Sequence, residues 1–460
     1  MKQAAHLNDF VAKMKKEGLK GDVIETFCHY YRQLVSGETG YLPDQRLRAV
    51  PPSDVKNAAF LDELRSAGNK VLGKTVHIVL NGGLGTSMGL TGPKSLINVR
   101  DGRSFLEIKL RQAENAGVTL VLMNSYRTAQ ETRHALSRLS PRHFPETFVQ
   151  NKFPKILKEN LKPAHWPPNP ELEWNPPGHG DIYSALRSSG LLSKLISSGV
   201  TYAFISNCDN LGAYLDKALL GYFATYRFPF MMEVAERTPA DVKGGHLARH
   251  EKGYLLLREL AQCPKEDIDA FKDIRRYRYF NTNNLWLNLK HLEKLIRAGK
   301  PIHLPIILNT KTLDPRDPQS PPVIQIETAM GSAISLFKNP AVVKVDDRRF
   351  FPVKKCNELL AVRSDCYLMT DDFRLLPNPA RSLGRIRIDL DPAFFGKLDD
   401  FETRFANGIP RLVDCRSLKI RGDVSFGTKV RLKGDVNIEA PTGRRTVVPD
   451  NTVLEGAVQL

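Results

Sequence analysis

The sequence predicts an α/β protein, with a largely parallel sheet flanked by helices and a short left-handed parallel β-helix at the C-terminal end. Three observations carry this. Apolar, β-branched runs alternate with helix-like segments from Lys74 to about residue 340. A capping signal and a glycine stop bracket the helix between the first two strands, which makes strand, crossover and strand a parallel unit. From Leu418 onward, Ile420, Val424, Val430, Val436 and Val447 recur at near-hexapeptide steps between Gly422, Gly427 and Gly434. That spacing suits a stacked coil, each turn of which buries its apolar side against the next. A few ordinary hairpins are the alternative for this tail.

Each element has its own local reason. Residues 8–36 place Phe10, Met14, Ile24, Phe27 and Tyr31 on apolar stripes at helical spacing, which predicts an N-terminal helical cap. Residues 41–55 are Pro-rich and read as a linker. Val76-His77-Ile78-Val79-Leu80 has the length and branching of a buried strand. Ser104-Phe105-Leu106-Glu107 is a capping box that opens a helix to about Ala116; Gly117 stops it, and Val118–Met123 is the next strand. A Pro- and aromatic-rich stretch, 140–177, interrupts the pattern. A helix over 181–189, strands over 201–206, 229–235 and 254–257, and a helix over 289–298 resume it.

Composition excludes several classes. The chain has 460 residues, 42% hydrophobic and 25% charged, as in globular domains with a full core. No apolar run approaches the ~20 residues of a membrane helix, so no membrane partner is expected. Met1 to Lys20 is polar and of mixed charge, so neither a signal nor a transit peptide is expected. The six cysteines form no CxxC, which disfavours zinc and a disulfide framework and points to a reducing, cytoplasmic setting. The formal charge is +17, yet basic residues are dispersed without blocks, so no nucleic-acid partner is expected.

The densest chemistry lies at residues 80–95, Leu-Asn-Gly-Gly-Leu-Gly-Thr-Ser-Met-Gly-Leu-Thr-Gly-Pro-Lys-Ser. Glycine admits positive φ and lets a ligand approach the backbone. Successive free N–H groups form an anion-binding concavity. Pro93 stiffens the approach to Lys94, a compact charge suited to phosphate. The lysine is out of register for a Walker loop, and no helix opens directly after the third glycine as a dinucleotide fingerprint requires. Pro176-Pro177-Gly178-His179-Gly180-Asp181 similarly combines glycines with polar handles at a helix start. Ser206-Asn207-Cys208-Asp209-Asn210 follows an apolar strand, and a carboxylate there points into the crevice where such sheets bind ligands. It suits Mg²⁺ held by oxygen and phosphate ligands. Asn281-Thr282-Asn283-Asn284 offers neutral partners for sugar hydroxyls, though asparagine also forms turns.

Taken together, these segments resemble the eukaryotic-type UTP–glucose-1-phosphate uridylyltransferases, also called UDP-glucose pyrophosphorylases. LNGGLGTSMGLTGPKS, FVQNKFPKI, PPGHGDIYSAL, NCDNLGAYLD, ADVKGGHL, FNTNNLWLNL, VIQIETAMGSAI and FFPVK follow the family's order over roughly residues 74–455. The resemblance implies a Rossmann-like, GT-A-like nucleotidyltransferase domain with a mixed sheet. It divides the chain into a helical extension and linker (1–55), a catalytic domain (56–345), a connection carrying Lys354 (346–410) and the β-helix (411–460). It implies the reaction UTP + glucose 1-phosphate ⇌ UDP-glucose + pyrophosphate, with Mg²⁺.

Residue by residue, the resemblance implies that Gly82, Gly83 and Lys94 hold the UTP phosphates and that Leu80 to Gly83 lie against the uracil. Gln150 and Gly178 read the uracil edge. His179, Asn207 and Asp209 sit near sugar, ribose and phosphates, with Asp209 the metal ligand. Gly245, Glu259, Asn281, Asn283 and Glu327 line the glucose pocket, and Lys354 reaches the α-phosphate and the sugar phosphate. The nucleophile, a phosphate oxygen, is already ionised, so no general base is needed, and positioning with positive charge is.

The chain departs from the family pattern at Asn175, where tyrosine is usual, at Pro239 and His246, at Cys208, and at Tyr126-Arg127-Thr128, which lacks an acidic run. These positions put sugar specificity in question. The alternatives are a broad-specificity UDP-sugar pyrophosphorylase and a UDP-N-acetylhexosamine pyrophosphorylase; the latter usually carries arginine where Ser87 or Met88 stands here. The chain ends at Leu460 without the additional strand through which some relatives form octamers, so a monomer or small homo-oligomer is expected.

Overall fold

The computed structural model describes residues 6–239, 241–297 and 302–460. Residues 1–5 of the extension, Ala240 of ADVKGG and the end of the helix expected over 289–298 lie outside these.

The N-terminal stretch forms two helices, Leu7–Lys16 and Gly21–Val35. They bury Phe10, Met14, Phe27 and Tyr31 against Phe153 and Trp174. The rings of Phe10 and Tyr31 sit 4.7 Å apart, within the range where aromatic pairs add to simple burial. The Pro-rich stretch after them is held rather than free. Leu47–Arg48 pairs antiparallel with Arg249–His250, and Asp44 accepts hydrogen bonds from Tyr277 Oη at 2.6 Å and from buried Arg258 at 3.3 Å.

Eleven strands of the described residues form one sheet. Its main path runs Lys56–Asn57, Ala341–Lys344, Phe230–Glu236, Tyr279–Asn288, Tyr202–Asn207, Thr75–Leu80, Thr119–Asn124, Glu146–Val149. Thr75–Leu80 pairs in parallel with both Tyr202–Asn207 and Thr119–Asn124, and its residues are buried on both faces, as parallel strands covered by helices must be. The parallel expectation fails at Tyr279–Asn288, which runs antiparallel to both of its main-path neighbours. The sheet is therefore mixed, as the resemblance implies. The chain reaches this strand from the hairpin of His246–His250 and Leu255–Arg258 through only the short helix Ile268–Lys272, and His246 pairs antiparallel with Phe280 within it.

The crossover helix Phe105–Ala116 begins where expected, with Ser104 Oγ accepting from Glu107 N at 3.2 Å, and ends at Gly117 with φ of 69°. The reciprocal half of the capping box is not made; Glu107 lies 3.9 Å from Arg103 instead.

In the tail, Arg387–Leu390, Cys415–Arg421, Arg431–Glu439 and Val453–Gln459 stack in that order, all in parallel. Val424–Phe426 pairs in parallel with Thr446–Val448. Parallel pairing of successive strands rules out hairpins and makes the tail a stacked coil. Val447, expected among the interior residues, is 54% exposed, and its neighbour Val448 is buried instead; Leu418 faces Val436, Ile420 faces Ile438, and these with Val424 and Val430 form the interior ladders. Those residues belong to the same apolar cluster as Val79, Phe204 and Trp286 of the sheet, so coil and sheet share one core. All six cysteines are buried and unpaired. No helix of the described residues is long and apolar enough to cross a membrane.

Candidate active site

The chain order fixes where the site falls. From Thr75–Leu80 the sheet grows outward through Thr119–Asn124 and Glu146–Val149, then returns to lay Tyr202–Asn207 on the other side of Thr75–Leu80. The connections leave these two adjacent strands in opposite directions, which opens a crevice beyond their carboxyl ends. The glycine loop starts at one of these ends and Asn207-Cys208-Asp209 at the other.

A cavity of about 260 Å³ occupies this crevice. Ten of the expected residues line it: Leu80, Gly82, Gly83 and Lys94; Gln150, Gly178 and His179; Asn207, Asp209 and Lys354. Within the glycine loop only Gly89 takes a positive φ, 77°. Gly82 is needed for closeness, since a Cβ there would stand 2.7 Å from Gln150 Nε2. Gly83 faces open space at the cavity. The loop closes on itself through Lys94 N donating to Gly83 O at 3.1 Å, which delivers the lysine side chain inward.

Lys94 and Lys354 meet on one carboxylate oxygen. Lys94 Nζ lies 2.6 Å and Lys354 Nζ 3.4 Å from Asp209 Oδ2. Lys94 is largely buried, whereas Lys354 is 58% exposed. Burial pulls the Asp209 carboxyl upward, but Lys354 and Lys94 outweigh it and hold the group below its ordinary range. Ser87, at the tip of the glycine loop, donates to the Lys354 carbonyl at 3.1 Å. Loop and lysine segment thus form opposite walls in direct contact.

Gly178 has φ of 77°, and a Cβ there would come 2.5 Å from Thr328 O. His179 Nδ1 accepts from Met330 N at 2.9 Å, which leaves the proton on Nε2. Burial, followed by repulsion from Lys354, lowers the His179 pKa to about 4, so the ring is a neutral donor at physiological pH. Burial pushes the Cys208 thiol up to about 12 and removes it as a nucleophile.

The other five expected residues lie outside this lining, in two groups. Asn281 and Asn283 exchange hydrogen bonds at 2.9 Å, and Asn281 N donates to Gly245 O at 3.1 Å. Glu259 packs against Gly245, and burial raises its pKa to about 6. Glu327 stands apart, beside Gly178 and 3.8 Å from Lys311. The turn Met330–Leu336 bridges the sets: its Met330 holds His179, and Gly331 packs against Asn281.

Sequence reasoning gave no role to four lining residues, Ser95, Met123, Pro176 and Cys208, and placed Asn81 only within the run Leu80 to Gly83. Asn81 is buried and donates to Asn124 Oδ1 and Thr132 Oγ1 at 2.7 and 2.9 Å, which anchors the glycine loop. Met123 is the penultimate residue of the neighbouring parallel strand, a placement that strand order alone predicts. Of the departures, Asn175 is buried and donates to Pro176 O at 3.0 Å, and His246 stacks on Tyr277 at 3.9 Å.

The second carboxylate oxygen of Asp209, Oδ1, is buried without a hydrogen-bond partner. Among the described residues no three His, Cys, Asp or Glu side chains converge. One orphaned carboxylate oxygen fits a cation bound mainly through substrate phosphates and water, as Mg²⁺ prefers.

An α/β sheet with a glycine-walled anion cleft at its switch point, two convergent lysines and no activated nucleophile defines a nucleotide-binding protein suited to phosphate-centred transfer. The chain belongs to the UTP–glucose-1-phosphate uridylyltransferase family, whose model matches residues 24–433. It is 39% identical to a probable UTP–glucose-1-phosphate uridylyltransferase of Schizosaccharomyces pombe, over 99% of this chain and 90% of that protein. Against the Saccharomyces cerevisiae UTP–glucose-1-phosphate uridylyltransferase it is 40% identical, over 98% and 90%. Among solved structures, a variant of the Leishmania major UDP-glucose pyrophosphorylase in complex with UDP-glucose superposes with a TM-score of 0.91 at 39% identity, covering 99% of each chain. The Trypanosoma brucei protein superposes at 0.89 with 39% identity, covering 99% of this chain and 100% of that one.

Proposed function

We propose that this protein joins UTP and glucose 1-phosphate to give UDP-glucose and pyrophosphate. The observation that carries this reading is the meeting of Lys94 and Lys354 on Asp209 at the mouth of the glycine loop. Two anionic substrates must approach each other, and two cations held at one point can bring them together.

In this reading UTP lays its phosphates along Gly82 and Gly83, on the side where Gly83 leaves space. Leu80 covers the uracil, Gln150 and Gly178 read its edge, and Asn207 lies near the ribose. Gly245, Glu259, Asn281, Asn283 and Glu327 hold the glucose hydroxyls. A phosphate oxygen of glucose 1-phosphate attacks the α-phosphorus in line. The new P–O bond forms as the α–β bridge breaks, and pyrophosphate leaves with the bridging electron pair. Lys94 and Lys354 exchange Asp209 for phosphate oxygens, and the His179 Nε2–H donates to phosphate or sugar. When Mg²⁺ is bound, Asp209 Oδ1 would hold it, and its contribution there is neutralisation of phosphate charge.

The same reading places the protein in the cytoplasm, in keeping with six unpaired cysteines, and as a monomer or small homo-oligomer, since a charge of +17 opposes close self-association. It takes the coiled tail as a left-handed β-helix, which the near-hexapeptide spacing supports. It keeps the divisions near residues 55, 345 and 410, and a Rossmann-like, GT-A-like catalytic domain between the first two.

The test is pyrophosphate release with UTP and Mg²⁺, comparing glucose, galactose and N-acetylglucosamine 1-phosphates. Release with glucose 1-phosphate alone is expected. Equal release with all three overturns the specificity, and none with any overturns the reaction.

A further inference from the structure

Behind the cleft lies a buried ion pair that the reaction does not touch. Arg349 Nε donates to Glu233 Oε2 at 2.7 Å, and Arg349 Nη2 donates to Glu233 Oε1 at 2.8 Å. Both side chains are buried. Trp286 Nε1 and Asn284 Nδ2 complete the carboxylate's partners at 2.9 and 3.0 Å. A pair this deep is no efficient stability device, because desolvation cancels much of its attraction and apolar replacements often serve as well. Its value must lie in what it fixes.

It fixes two things. Glu233 stands at a bulge, where the register with Tyr279–Asn288 slips between Met232 and Val234. Opposite, Asn283 takes a φ of 59°, and Thr282 Oγ1 donates to Glu233 O at 2.8 Å. Bulges re-aim side chains, and this one presents Asn281 and Asn283 as a bonded pair. On the other flank, the Arg349 carbonyl accepts from Asn210 Nδ2 at 3.1 Å. Asn210 Oδ1 accepts from Phe351 N at 2.8 Å, and Val353 N donates to Asp209 O at 3.1 Å. Lys354 emerges one residue later.

We propose that Glu233 and Arg349 are a positioning pair that sets the spacing between the asparagine bulge and Lys354, so that a correctly seated sugar phosphate meets a correctly placed cation. The proposal rests on the uridylyltransferase reading above.

Arg349→Lys keeps the charge and loses the fork; Glu233→Gln keeps the shape and loses the charge. In both, kcat per folded molecule should fall about 100-fold and KM for glucose 1-phosphate rise about tenfold, with UTP affinity by calorimetry unchanged within about twofold. A purely structural pair would lower the folded fraction and leave these constants alone, which overturns the proposal. The double variant Glu233→Met, Arg349→Met guards against misfolding. If it folds, its kcat should be as low as in the single variants; wild-type constants in it, or failure to fold at all, overturn the proposal. If the wild-type protein releases no pyrophosphate, the parent reading fails and hydrogen exchange decides the pair. Arg349→Lys should then speed exchange at residues 281–284 and 350–354 together, and acceleration at one alone overturns the coupling.

Discussion

The two halves of the sheet approach the same cleft by different means. On the parallel side, the expected phosphate contacts Gly82, Gly83 and Lys94 come from one contiguous segment, residues 80–95, that folds back on itself, and Lys354 alone reaches in from the facing wall. On the antiparallel side, the expected sugar contacts are Asn281, Asn283 and Glu259, brought together from separate strands and a bulge. Phosphate is a large charge that any well-aimed N–H or ammonium recognises, so a local loop and one facing lysine suffice. Hydroxyls are neutral and directional, so a set of buried side chains must be held at fixed angles.

The sharpest test of this contrast is on the phosphate side. Lys94→Ala and Lys354→Ala should each lower kcat by about 1,000-fold, the scale of losing one charge-stabilising donor. Single-turnover pyrophosphate release measures this, and wild-type turnover in either variant breaks the assignment of both lysines. Next in size is Gly178→Ala. A Cβ at φ 77°, 2.5 Å from Thr328 O, must displace the His179 turn, and we expect roughly 30-fold weaker UTP binding by calorimetry.

On the sugar side, Asn283→Ala should raise KM for glucose 1-phosphate about tenfold and leave UTP affinity unchanged. Equal loss of both would show that the halves do not divide the work. A smaller effect follows from acidity. Burial raises Glu259 to about 6, so its acceptor form is lost as pH falls through that value. KM for glucose 1-phosphate should rise two- to threefold between about pH 7 and pH 5.5, and Glu259→Gln should flatten the profile.

The smallest effect concerns the N-terminal helices. His29 stacks on His303 at 3.5 Å, and burial, then His29, lower the His303 pKa to about 4. The unfolded ring titrates near ~6.5, so the unfolded chain binds the extra proton between these values. The stabilisation is present above about pH 6.5 and fades as pH falls toward 4. Protection against hydrogen exchange in Gly21–Val35, corrected for the intrinsic rate, should fall over that window in the wild type and fall less in His303→Phe, where only His29 remains to titrate.

Much of the parallel half was legible in the sequence because its information is local. Glycine spacing, a proline and a lysine within one loop predict an anion cradle. Strand order then predicts where that loop faces. The antiparallel strand was not legible from pattern, since Tyr279–Asn288 is buried enough to suit either direction and only its pairing with distant strands shows which one it takes. Glu233 was invisible for a related reason. A lone acid in an apolar run shows its role only when Arg349, over a hundred residues later, folds onto it. Asn81 was read only as part of the run against the uracil, although its side chain anchors the glycines beside it.

The buried cysteines give the molecule a set of internal clocks. They lie at positions 28, 208, 263, 356, 366 and 415, in the helical cap, the cleft, the hairpin region, the lysine-bearing segment and the approach to the coil. Each is buried, although Cys208 also lines the cleft, and burial pushes Cys208, Cys356 and Cys415 up to about 12. A thiol reagent therefore reaches the five cysteines outside the cleft only when their own neighbourhoods open. The rate at which each of these thiols is consumed is the opening rate, or the opening equilibrium, of one district of the fold. A single unmodified chain so records, residue by residue, which parts breathe independently and which open only when everything does.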